Sequence, residues 1–152
     1  MNRLSSPIFI AVVLLYSCIM SVTANNRNHS TAARFHFDIT DRPDEKRFVL
    51  SLKSLDDRPL CIYVEKWPNQ KGQLHFGSRW VKLKSPNGTY PAKDENFGYC
   101  VDEHGKHCLI YIAPRSTLNG FIGYEQFGNP AVIEKLSRRQ LDFPVSPSVC
   151  EK

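Results

Sequence analysis

Several signatures are missing from this chain of 152 residues, and each absence removes a class of function. No His-Glu-x-x-His run occurs, so the helical histidine pair with its adjoining general base, on which many zinc hydrolases depend, is not there. No Gly-x-Ser-x-Gly elbow occurs, which removes the commonest way of presenting a serine nucleophile from a strand-to-helix turn. Lysine and arginine outnumber aspartate and glutamate by 20 to 15, yet they are scattered. The densest basic group, Lys135, Arg138 and Arg139, is too small for a phosphate-binding stripe, so nucleic acid is not expected as a ligand. Past Met20 no long apolar run recurs, and no stable membrane span is expected. Helical periodicity is also scarce.

What is present begins with a leader. Arg3 gives a short positive n-region, Ile8 to Met20 is nearly unbroken apolar sequence, and Val22-Thr23-Ala24 places small residues at a cleavage point. This pattern predicts a signal peptide over residues 1–24, cut after Ala24, and an exported protein, secreted or periplasmic. Leu15-Tyr16-Ser17-Cys18 is similar to a bacterial lipobox, but Tyr16 is too bulky for its position. Residues 25–33 are polar and aperiodic and are expected to be flexible, leaving 34–152 as a single domain.

Four cysteines remain after such a cleavage: Cys61, Cys100, Cys108 and Cys150. An even count in an exported domain reads as two disulfides. Three connectivities are open; Cys100 and Cys108 stand at the ends of one short loop, which would leave Cys61 to join Cys150. Loop-closure entropy then gives about 2.6 kcal/mol for the short ring and about 4.6 kcal/mol for the long one, before strain.

The body of the chain alternates apolar and polar residues in short runs separated by turn residues. "RFHFDI", "RFVLSLK", "LCIYVE", "QLHF", "RWVKLK", "CLIYIA" and "LNGFIGY" read as strands, with a strong turn at "SPNGT" and a long loop at "YPAKDENFG". One helix is expected in "GNPAVIEKLSRRQL", where Asn129 can cap, Pro130 suits the first position, and Val132, Ile133 and Leu136 share a face over two or three turns. Many short strands and one short helix near the C-terminus predict an antiparallel, immunoglobulin-like β-sandwich.

The richest stretch chemically is "CVDEHGKHC", residues 100–108. A zinc site would recruit Cys100, His104, His107 and Cys108, but structural zinc draws ligand pairs from separate elements and these four crowd into nine residues. An oxidising compartment also favours the disulfide over two thiolates. The expectation is a disulfide-closed hairpin tip with solvated histidines, and no metal or cofactor. His36, His75, His104 and His107 could each meet a carboxylate in space, an arrangement that one sequence does not show. Trp67, Trp80, Tyr63, Tyr90 and Tyr99 are candidates for an aromatic platform, with Trp67 and Trp80 foremost. Asn28 and Asn87 begin Asn-x-Ser/Thr acceptor sequences, which matter in a eukaryotic host.

"VLSLKSLDDRPLCIYVEKWP" joins a strand, an Asp-Arg-Pro-Leu turn, a cysteine-bearing strand and Trp-Pro, and "YIAPRSTLNGFIGYEQFG" joins a proline-led turn, a strand and an aromatic exit. Together, over roughly Phe48 to Gly128, they resemble the N-terminal β-sandwich that precedes the catalytic domain of deuterolysin-type metalloendopeptidases. The resemblance implies a stand-alone sandwich of a kind used elsewhere as a pro-region, folding against or restraining a peptidase. It carries over no catalytic residue, since the zinc-binding motif is lacking. The leading expectation is therefore a non-catalytic exported module that binds another macromolecule, with a peptidase, another hydrolase or an envelope component as partner. One alternative is a carbohydrate- or envelope-binding module using Trp67 and Trp80. Another is a small hydrolase whose site is not evident in the sequence.

Overall fold

In the computed structural model, residues 32–75, 80–95, 100 and 108–150 are described. Among them the chain forms nine strands: β1 (Phe35–Arg42), β2 (Arg47–Ser54), β3 (Leu60–Tyr63), β4 (Lys82–Ser85), β5 (Gly88–Pro91), β6 (Leu109–Ile112), β7 (Thr117–Gly123), β8 (Gln140–Asp142) and β9 (Ser148–Val149). The described residues include a single α-helix, α1 (Pro130–Glu134), between β7 and β8. The protein is mainly β, in three antiparallel sheets of three strands each. Their orders are β1-β2-β7, β6-β3-β9 and β5-β4-β8.

The alternation in the sequence becomes sidedness in the sheets. Across the first sheet Phe37 faces Leu52 and then Leu118, while Ile39 faces Leu50 and then Gly120. This row points inward, and Phe48, Leu50, Leu52 and Ile122 are fully buried. The second sheet contributes Leu60, Ile62 and Ile112, and the third Leu83 and Leu141, to the same continuous core. Each such leucine or isoleucine removed from water is worth about 1.5–3 kcal/mol. The first hairpin closes through a 3-10 turn at Pro43–Glu45 and Lys46 in the left-handed region at φ 52°.

Pairing begins slightly earlier than the boundary expected at residue 34, because Ala32 bridges Ser148. The third sheet was only half anticipated. Gly88–Pro91, expected to run from a turn into loop, forms β5 and pairs with β4 from Ser85↔Gly88 to Lys82↔Pro91. In "QLHF" the described residues form only an isolated bridge, His75 to Glu95. The helix is also shorter than its apolar spacing predicts. Asn129 caps it, its Oδ1 accepting from the Ala131 N–H at 3.0 Å, but α1 ends at Glu134. Beyond it Arg138 turns left-handed at φ 50°, and Leu141 is drawn into the core as the register partner of Leu83. Strand pairing thus takes the last two residues of the expected helical segment, Gln140 and Leu141.

Both disulfides join the expected partners. Cys61 on β3 bonds Cys150 beside β9, with Cα atoms 5.1 Å apart, and Cys100 bonds Cys108 at 5.5 Å. The tip between the latter pair, with His104 and His107, lies outside the described residues, as do residues 1–31, Asn28 and Tyr99. No helix of the described residues is long and apolar enough to cross a membrane.

Candidate functional site

The two tryptophans proposed as binding aromatics part company. After β3 the chain makes a 3-10 turn at Val64–Lys66, which carries Glu65 and Lys66 to the surface and returns Trp67 to the interior. Trp67 is 4% exposed and packs edge-on to Phe37 and Phe143, with ring centroids 6.2 and 6.0 Å away. It is a core residue, which corrects its assignment as a surface platform. Trp80, by contrast, is 69% exposed. Its neighbour Val81 is buried and accepts the Ala92 N–H at 3.0 Å, so a fixed backbone holds the indole outward.

Trp80 lines a cleft of about 340 Å³ together with Glu65, Lys66, His75, Val81, Pro144 and Ser146. The His75 Nδ1 lies 3.2 Å from the Glu95 carbonyl oxygen, which can only accept, so Nδ1 carries the proton. Glu65 Oε1 accepts the Cys100 N–H at 3.4 Å, tying the cleft wall to the short disulfide. Serine, histidine and glutamate thus share one cleft, but the imidazole is oriented by a backbone carbonyl and the carboxylate by a backbone amide. The carboxylate-to-imidazole bond of a hydrolytic triad is not made between Glu65 and His75 Nδ1.

Lys66 links this cleft to a second aromatic surface, its ammonium lying 5.7 Å from the Tyr63 ring centroid. Tyr63 pairs with Leu109, and Cys61 with Tyr111, so the two tyrosines are diagonal neighbours on one face of the second sheet. That face turns away from Leu60 and Ile62, and both tyrosines are more than half exposed. Tyr90, the remaining described candidate, is half-buried and packs against the core. Of the histidines, His36 is exposed and pairs with Asp38 at 2.8 Å on the outer face of β1.

Two polar constellations were not anticipated. Arg139, part of the densest basic group in the sequence, is turned inward, its side chain only 11% exposed. Nε donates to Asp41 Oδ2 at 2.8 Å, and Nη1 donates to the carbonyls of Ile133, Glu134 and Leu136 at the end of α1. The Tyr124 hydroxyl donates to the other Asp41 oxygen. Burial first, and the Asp41 bond second, push the Tyr124 phenol well above its ordinary pKa. This cluster borders a crevice of about 280 Å³ lined by Ile39, Asp41, Phe48, Arg139, Gln140 and Leu141. In the β2–β3 turn, Asp56 is buried and gripped by Arg58: Nε to Oδ1 and Nη2 to Oδ2, both at 3.0 Å, with the Arg58 N–H on Oδ1 at 3.1 Å. The Arg58 guanidinium holds this carboxyl well below the usual carboxylate range.

The cleft lining brings together an indole, a carboxylate, an ammonium, an imidazole and a hydroxyl. No protein-family model matches the chain, and no curated protein matches it.

Proposed function

We propose that this chain is an exported, non-catalytic β-sandwich of immunoglobulin type that works by binding a protein partner, a peptidase or another hydrolase, once a signal peptide ending at Ala24 is removed. The observation that carries the reading is Trp80, a large aromatic held outward on fixed backbone beside the 340 Å³ cleft. Tryptophan is over-represented among residues whose removal costs an interface most, because it buries a large area with little side-chain entropy to lose. The two disulfides fit an oxidising compartment. A peptidase is the partner suggested by the resemblance to the N-terminal part of deuterolysin-type enzymes. Burial of Trp67 leaves the glycan alternative with one of its two tryptophans.

The test is affinity capture from the protein's own extracellular or periplasmic fraction, with wild type and Trp80→Ala as baits. A hydrolase retained by wild type and lost from the variant supports the reading; a hot-spot aromatic is worth about 2 kcal/mol or more, roughly thirtyfold in affinity. Recovery of a polysaccharide alone would replace it with the glycan module, using Trp80 with the Tyr63–Tyr111 face. Turnover of simple ester substrates that disappears in Ser146→Ala would replace it with a hydrolase.

A further inference from the structure

We infer that β1 is an acceptor for an added strand: an extended segment of a partner polypeptide, with apolar side chains at alternate positions, pairs along its outer edge. This deepens the proposed binding role by naming a surface separate from Trp80 and the chemistry it selects.

The phase of the β1–β2 ladder follows from its end. The Leu55 N–H donates to the Arg34 carbonyl at 2.9 Å, just outside the strand pair that begins Phe35↔Ser54. In an antiparallel ladder hydrogen-bonded and non-hydrogen-bonded pairs alternate, so His36, Asp38, Thr40 and Arg42 turn their backbone groups toward β2. Phe35, Phe37, Ile39 and Asp41 turn theirs to the outer edge. The neighbouring ladder has the matching phase: Tyr124 donates to Lys46 at 2.9 Å and Ser54 to Ser116 at 2.9 Å, leaving Val49, Ser51 and Lys53 directed at β1.

Those same four residues send their side chains toward the core, yet none is fully covered. Phe35, Phe37 and Ile39 are half-buried, whereas Leu50 and Leu52 opposite them are wholly buried. Among the described residues β1 has a neighbouring strand on only one side, which explains the difference. Next to Ile39 the 280 Å³ crevice opens between β1 and β8, with Phe48 and Leu141 as its apolar walls. An added strand would satisfy the outward donors and acceptors and seat an apolar side chain in that crevice. Only an extended polypeptide backbone supplies donors and acceptors at a two-residue repeat, which is why the occupant is a peptide strand.

Other edges are poorer acceptors. The turn at Asn69–Gln73 passes over β7: a Cβ placed on Gly72 would come within 3.2 Å of the Phe121 carbonyl oxygen. β5, β6, β8 and β9 have four residues or fewer, and β5 ends in Pro91. β1 has eight residues and, unlike many protected edges, neither lysine nor proline.

The experiment is residue-resolved amide exchange on the ¹⁵N-labelled disulfide-bonded chain, alone and with a blocked synthetic peptide of the β2 sequence, Arg47–Ser54. That peptide presents Phe48, Leu50 and Leu52 on one face, and along one edge the backbone groups that β7 normally meets. Expected in the free chain are fast exchange at Phe35, Phe37, Ile39 and Asp41 and slow exchange at His36, Asp38 and Thr40. Adding the peptide should slow the first set by about tenfold or more as those amides become bonded. The same peptide carrying Leu50→Pro, which lacks the central donor, should leave them unchanged. Slow exchange of the outward set in the free chain would overturn the inference, as would no change with millimolar peptide or equal protection by the proline peptide. The binding role is judged separately: Trp80→Ala can abolish partner capture while the β1 amides stay indifferent to peptide, and the reverse can also occur.

Discussion

Arg58 closes a ring around Asp56, and that ring gives the turn between β2 and β3 a pH dependence of known sign. Both carboxylate oxygens accept from the guanidinium, and Oδ2 also accepts from the Arg34 N–H at 3.4 Å. The depressed pKa means the folded state holds the carboxylate more firmly than the unfolded chain does. Its stabilising contribution is therefore complete above the ordinary carboxylate range and lost as pH falls through and below it. Urea midpoints measured from neutral pH down to about pH 2 should fall for wild type. For Asp56→Asn the midpoint should start lower at neutral pH and depend less on pH across that window. An equally steep acid dependence in the variant would place the sensitive group elsewhere. Neither this ring nor the Asp41–Tyr124–Arg139 cluster could be read from the sequence. Asp56 and Arg58 lie in an ordinary polar turn, and Asp41 and Arg139 are separated by 98 positions. Trp67 and Trp80 illustrate the same limit: each sits among mixed residues, and a 3-10 turn with no strong sequence marker decides which one is buried.

Elements were more legible than single side chains, wherever a local pattern had no competitor. The period-two runs became β1, β2 and β7 almost as read, since each has one apolar face and a continuous core to cover it. The Asn129-Pro130 start of α1 was also recoverable, because capping is a local matter. The length of α1 was not, because Leu136 continues the stripe of Val132 and Ile133 although the helix stops at Glu134, and Leu141 pairs with Leu83 on β4. β7 contains a further constraint. Gly120 lies opposite Leu50, and a Cβ there would sit 2.8 Å from Trp67 Nε1 and 3.1 Å from Pro68 Cγ. Gly120→Ala forces the indole to shift within a packed aromatic cluster, at a cost of about 1–3 kcal/mol. Chemical denaturation should show it, whereas Gly88→Ala tests a different effect: open space around the residue but an unfavourable φ of 139°.

At the scale of the molecule, covalent closure is unevenly distributed. The Cys61–Cys150 bridge spans 89 positions and fastens β9 to β3, while Cys100–Cys108 spans 8. Chain-entropy arithmetic predicts that removing Cys100 and Cys108 together costs about 2–3 kcal/mol and removing Cys61 and Cys150 about 4.6 kcal/mol. Because Cys100 and Cys108 are bonded to each other, neither is a thiolate ligand. If the segment between them is a solvated hairpin tip, as the sequence predicts, His104→Ala with His107→Ala should shift stability by no more than about 0.5 kcal/mol. Thermal melts of wild type and the three double variants, with and without EDTA, check all of this at once. Chelator-sensitive melting of wild type, with loss of folding in the histidine variant, would reinstate a zinc site at residues 100–108.

The bridge between Ala32 and Ser148 has a topological consequence. It brings the first described residue beside one near the last, and the Cys61–Cys150 bond holds that junction to the same sheet. The described part of the chain therefore begins and ends at a single point, like a bead on a clasp. A short linker joining residue 150 to residue 32 would close the path into a circle with little rearrangement. The exposed tip at Pro86-Asn87, between β4 and β5, is then the natural place to reopen it. The same geometry lets the domain be spliced into a surface loop of a host protein, both connections running side by side.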